Sequence, residues 1–146
     1  MRSKIVISSK LSNRIIFVLS LVGLAVASFL FYEYNVTGTI VCPTGQGCDI
    51  VRASSYSRFL GISIPFLGIV FYLIMAILSV IHTHDLPRRV VRKLQVLVAV
   101  SGVAFGIYLT YLEAFVIGAF CFWCVLSFII SIMILLAIVF GRQKKT

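Results

Sequence analysis

The chain has 146 residues, of which 61% are hydrophobic and only 12% charged. Soluble globular domains carry about 25% charged residues, so this composition excludes an ordinary soluble domain. The net charge of +9 invites a nucleic-acid reading, but the placement of the basic residues argues against one.

The apolar residues fall in long blocks, which read as bilayer spans rather than as alternating barrel strands. In chain order, a basic tail over residues 1–14 precedes a first span at about 15–32. Its apolar stretch is long and no small-residue cleavage pattern follows, so it is read as a retained span rather than a signal peptide. A polar loop follows over residues 33–61, then spans at about 62–81, 94–112 and 118–140. The expected fold is therefore all-α and integral to the membrane: a four-transmembrane-helix bundle forming one domain over residues 1–146.

Charge sets the expected orientation. Arg2, Lys4, Lys10 and Arg14 precede the first span; Arg88, Arg89, Arg92 and Lys93 lie between spans two and three; Arg142, Lys144 and Lys145 follow span four. Only Arg52 and Arg58 lie on the other side. The positive-inside rule then makes both termini cytoplasmic and puts the 33–61 loop outside, with a short apolar connection over 113–119. His82 and His84 fall on the cytoplasmic side, where they are expected to be solvated, with no metal role.

Within the outer loop, residues 34–48 are rich in Gly, Thr and Pro and are expected to be flexible. From Asp49 to Leu60 the pattern suggests a short amphipathic helix over the bundle mouth, capped by Asp49 and stopped by Gly61. Pro65 falls in the opening turn of span two, where proline is tolerated. Arg52 and Arg58 are expected at the interface, and Trp123 in the aromatic belt. Asn35-Val-Thr37 fits a glycosylation acceptor but hugs the membrane, so it is discounted.

The chain contains four cysteines, in two close pairs. Cys42 and Cys48 enclose a loop of five residues, two of them glycine. Cys121 and Cys124 form a Cys-x-x-Cys at the mouth of span four, where helical spacing stacks both thiols on one face. A helix N-terminus favours a thiolate, which suits that pair to exchange. Both pairs lie towards the expected outer, oxidising side. A mobile dithiol above a fixed one suggests an electron relay by thiol–disulfide exchange. Structural disulfides, or a four-cysteine zinc site, are the alternatives that spacing alone leaves open.

The residues also carry a resemblance. Cys42 and Cys48-Asp-Ile-Val-Arg-Ala-Ser54-Ser-Tyr56, then Gly61-Ile-Ser-Ile-Pro65-Phe-Leu-Gly68, Tyr108-Leu-Thr-Tyr-Leu112 and Cys121-Phe-Trp-Cys124 resemble the vitamin K epoxide reductase (VKOR) family. The similarity is to its prokaryotic, disulfide-forming members. It implies a bundle around a quinone (ubiquinone, menaquinone or related) and an oxidoreductase acting on thiols. By matching positions, Cys42 would exchange with a thioredoxin-like (DsbA-like) protein, Cys48 would pass electrons to Cys121, and Cys124 would reduce the quinone. Ser54 matches a serine near the quinone. Phe128, one turn below Cys124, is a second candidate for the quinone pocket, although a packing aromatic is the commoner role for such a residue. Many relatives carry a fused thioredoxin-like domain; this sequence ends at Thr146, which implies a separate partner. The implied location is a bacterial inner membrane, with the lipid bilayer and quinone pool as partners and no nucleic acid. Reduction of vitamin K epoxide is the second enzymatic reading. The DsbB type also has two cysteine pairs, but there the Cys-x-x-Cys comes first.

Overall fold

The computed structural model describes residues 9–36, 38, 41–43, 45–81 and 87–141. His82, His84, Thr37 and the basic residues at positions 2, 4, 142, 144 and 145 lie outside the described residues. Helix α1 spans Ser9–Asn35 and α2 spans Gly47–Ala53. A 3-10 turn at Ser55–Ser57 leads into a two-stranded antiparallel hairpin, β1 (Arg58–Phe59) and β2 (Ile62–Ser63). Helix α3 covers Ile64–Ile81 and α4 covers Arg88–Tyr111. A π-helical turn at Leu112–Ile117 extends α4, and α5 covers Phe122–Phe140.

Four of these helices are long and apolar enough to cross a membrane. At about 1.5 Å per residue the shortest reaches ~27 Å, close to the thickness of the hydrocarbon core. Each closes its own backbone hydrogen bonds, which an apolar solvent demands. The protein is an all-α integral membrane bundle. Many large apolar side chains face outwards, among them Val18, Leu21, Ile77, Leu97 and Leu136, as they must where the surroundings are lipid.

In the bundle α1 packs on α3 and α5, and α4 closes the ring against α3 and α5. The core holds Ile16, Ala27, Tyr72, Met75, Ala99, Ile130, Ile134 and Ile138. Small residues set the closest crossings, as is usual without a hydrophobic drive between helices. A side chain at Gly23 would overlap the Tyr72 ring, so glycine there lets α3 press an aromatic against α1. The buried Tyr72 hydroxyl then reaches α5, 2.8 Å from both the Ser127 carbonyl and the Ser127 hydroxyl. Towards the other end of α5, Ser12 donates to the Ala137 carbonyl at 2.8 Å. These bonds fix the register of α1 and α3 on α5.

Two expectations for the loop need correction. The helix there ends at Ala53, not near Leu60, because the chain turns into the hairpin with Leu60 and Gly61 both at positive φ (51° and 82°). Gly61 thus serves a hairpin turn rather than a helix stop. Asp49 is not a cap either: Gln46 holds that position and Asp49 lies in the first turn. There its carboxylate suits the helix dipole and pairs with Arg52 at 3.4 Å.

Removing the Tyr72 hydroxyl tests the α3–α5 register. Tyr72→Phe should cost about 1 kcal/mol and lower the thermal midpoint in detergent by a few degrees. A nanoscale thermal melt on purified protein measures this.

Candidate active site

All four cysteines meet at one end of the bundle. Cys48 and Cys121 are fully buried in a cluster with Leu30 and Val51, and Cys42, Tyr34, Ile117, Phe122, Trp123 and Cys124 pack around it. Cys42 and Cys48 form a disulfide with Cα atoms 6.0 Å apart, while Cys121 and Cys124 are free thiols.

Glycine places the two pairs together. A Cβ on Gly47 would overlap the carbonyl of Phe120, so only glycine lets these backbones touch. Gly47 immediately precedes Cys48, and Phe120 immediately precedes Cys121. The contact therefore seats one cysteine of each pair in the same buried pocket. Two further links hold the loop down. The Trp123 indole donates to the Val41 carbonyl at 2.7 Å, joining the Cys-x-x-Cys to the residue before Cys42. Arg52 donates to the carbonyls of Glu33 and Gly38 at 3.2 and 2.7 Å, tying α2 to the end of α1. Arg52 thus has local backbone partners.

Cys121 occupies the N-cap of α5, with extended backbone, and Cys124 lies in the first turn. The Cys121 pKa is lowered, chiefly by the hydrogen bond from the Cys124 thiol, with help from the Cys124 and Trp123 N–H groups. Burial and the nearby Glu113 carboxylate oppose this shift without reversing it. That balance favours the thiolate form of Cys121.

Cys124 faces the other way, into a cavity of about 420 Å³ within the bundle. Phe71, Phe105 and Phe128 are among its apolar walls, and Thr110, Glu113 and Ser127 supply polar groups. The volume lies in the range that small-molecule sites occupy. Phe128 lines this space. Ser54 does not line it: its hydroxyl donates to the Val51 carbonyl at 2.6 Å, at the end of α2. Sequence reasoning missed Glu113, assigning it to an outer connection. The π-helical turn instead carries it inwards, 4% exposed, with Oε2 accepting the Cys121 N–H at 3.3 Å. A lone acid eight residues before Cys121, inside an apolar run, was the available signal.

Fold and site define an integral membrane protein built on two juxtaposed cysteine pairs beside an apolar cavity. Residues 14–139, most of the chain, match the Vitamin K epoxide reductase family, and the chain belongs to that family. It is accordingly a membrane oxidoreductase. No match was found among curated proteins.

Gly47→Ala tests the seating contact. Overpacking of this kind costs about 1–3 kcal/mol, which should lift α2 and expose Cys121. Brief maleimide treatment followed by mass spectrometry should show Cys121 labelled about tenfold faster than in wild type.

Proposed function

We propose that the protein is a quinone-dependent thiol oxidoreductase that reoxidises a thioredoxin-like, DsbA-like partner during disulfide-bond formation. The observation that carries this reading is the burial of Cys48 and Cys121 in one cluster, with Cys124 opening on the cavity behind them. A structural role would need neither the juxtaposition nor the cavity.

The chemistry follows from the sulfurs. A thiolate of the reduced partner attacks Cys42 Sγ, breaking the Cys42–Cys48 bond and releasing Cys48. The partner's second thiol then frees Cys42 and closes the partner's disulfide. The Cys48 thiolate attacks Cys121 Sγ when the second pair is oxidised, and Cys124 leaves. Cys42 closes back on Cys48, so the loop pair is a disulfide again and Cys121 and Cys124 are thiols. That is the redox pattern of this structure.

A quinone fits the cavity by chemistry: aromatic walls for a flat ring, and Cys124, Thr110 and Glu113 as polar groups for a carbonyl. Bound there, it would supply a two-electron acceptor. Cys124 would hold the reacting sulfur, Phe128 would pack on the ring, and the seated loop would exclude water. Ser54 would have to exchange its bond to Val51 to take part. The charge pattern supports both termini on the cytoplasmic side of a bacterial inner membrane, with the cysteines at the outer face and the membrane quinone pool as acceptor. Vitamin K epoxide reduction is the second reading, supported by family membership alone.

Anaerobic quinone reduction by purified protein tests the proposal. With a reduced thioredoxin-like partner, Cys42→Ala, Cys48→Ala, Cys121→Ala and Cys124→Ala should each lose turnover by at least about 100-fold. With a small dithiol, the two loop variants should retain turnover, and the Cys121 and Cys124 variants should not. Full activity of Cys124→Ala would contradict the route.

A further inference from the structure

Glu113 is the one carboxylate among the described residues that line the cavity. An acid inside an apolar helix carries a desolvation cost that structural roles rarely justify. Its position is built. The π-helical turn ends at Gly118, in the left-handed region at φ 72°, and the N–H groups of Gly118 and Ala119 both return to the Glu113 carbonyl. That closure aims the side chain at the cysteines. Oε2 accepts the Cys121 N–H, and the same carboxylate meets the Cys124 thiol.

Glu113 and Cys124 also share a second, smaller void of about 10 Å³ on the α2 side, lined by Tyr34, Tyr56 and Val51 among others. This space is at the lower limit for a single water molecule. Glu113 therefore stands between the cavity and the underside of the loop. Tyr34 of α1, Tyr56, Cys121 and Cys124 are the titratable groups around it, and the charge of Arg52, paired with Asp49, acts on Tyr34.

We propose that Glu113 is a catalytic acid–base that carries the Cys124 thiol proton to an oxygen of the quinone. This rests on the quinone reading above and assigns a proton route to that site. The step balances. As the Cys121 Sγ–Cys124 Sγ bond forms, the Cys124 S–H bond breaks, and two electrons leave the sulfurs for the quinone. The Cys124 proton moves to the Glu113 carboxylate and then to a quinone oxygen, leaving Glu113 ionised again. Cys121 reacts as the thiolate, and the second proton of the quinol comes from water. Cys121 and Cys124 are oxidised and the quinone is reduced to the quinol.

The test compares wild type with Glu113→Gln and Glu113→Asp in the full chain, with two readouts. The first is reduction of a short-chain ubiquinone analogue by a small dithiol, which needs no partner protein. The second, made without quinone, is thiolate ultraviolet absorbance against pH, with Cys42–Cys48 oxidised and Cys121 and Cys124 reduced. Glutamine should slow turnover by about 100-fold, the range for loss of a general acid–base. It should also bring thiolate absorbance in at lower pH by about one unit, because the opposing carboxylate charge is gone. Aspartate should restore part of the turnover. Lower turnover together with later or absent thiolate formation would indicate a structural role and overturn the proposal. Wild-type turnover in Glu113→Gln would overturn it alone. Failure of the wild type to reduce the quinone would overturn it together with the functional reading.

Discussion

The arrangement depends on one close backbone contact, Gly47 against the carbonyl of Phe120. Exchange between two cysteine pairs requires two sulfurs within bonding reach, and a side chain at position 47 would hold them apart. With glycine there, α2 settles onto α5 and the π-helical turn, and Cys48 and Cys121 are sealed together. Val51 and Leu30 complete the seal. Arg52 and Trp123 keep the loop seated through hydrogen bonds to backbone carbonyls. Such bonds hold a segment without locking it, which would suit a loop that the proposed partner reaches from outside the bundle.

The four long helices supply a rigid base for that contact and a hollow behind it. Glycine and alanine bring α1 and α3 close: a Cβ on Gly68 would come within 3.3 Å of the Ala27 Cβ. The bundle is not filled throughout: beside Cys124 the side chains leave an apolar chamber. Cys121 and Cys124 consequently have different surroundings although only one helical turn separates them. Cys121 meets the loop and takes hydrogen bonds that favour its thiolate. Cys124 meets the chamber and the carboxylate of Glu113. The two cysteines of one pair thus face different surroundings, as the proposed relay would require.

The sequence made the spans and the cysteines legible because both signals are local. An apolar run long enough to cross a bilayer has few other uses, and two close cysteine pairs stand out in any chain. The loop was harder. Residues 49–60 carry helical spacing, but the positive φ at Leu60 and Gly61 diverts the chain into a hairpin. Asp49 precedes an apolar residue as a cap would, yet the helix starts earlier because Gly47 must reach Phe120. Glu113 was hidden for a different reason. Nothing local marks a π-helical turn, and without that turn the acid reads as a solvated residue in a connection. The seating of Cys48 on Cys121 was likewise beyond local reading, since the two lie 73 positions apart and only tertiary packing joins them.

The central claim is that the two pairs exchange through Cys48 and Cys121. A variant carrying both Cys42→Ala and Cys124→Ala leaves only those two thiols. Mild oxidation followed by digestion and mass spectrometry under non-reducing conditions reads their bond directly. The account predicts an intramolecular Cys48–Cys121 disulfide in most molecules. Recovery of both cysteines as free thiols, in protein that melts as wild type does, would contradict it.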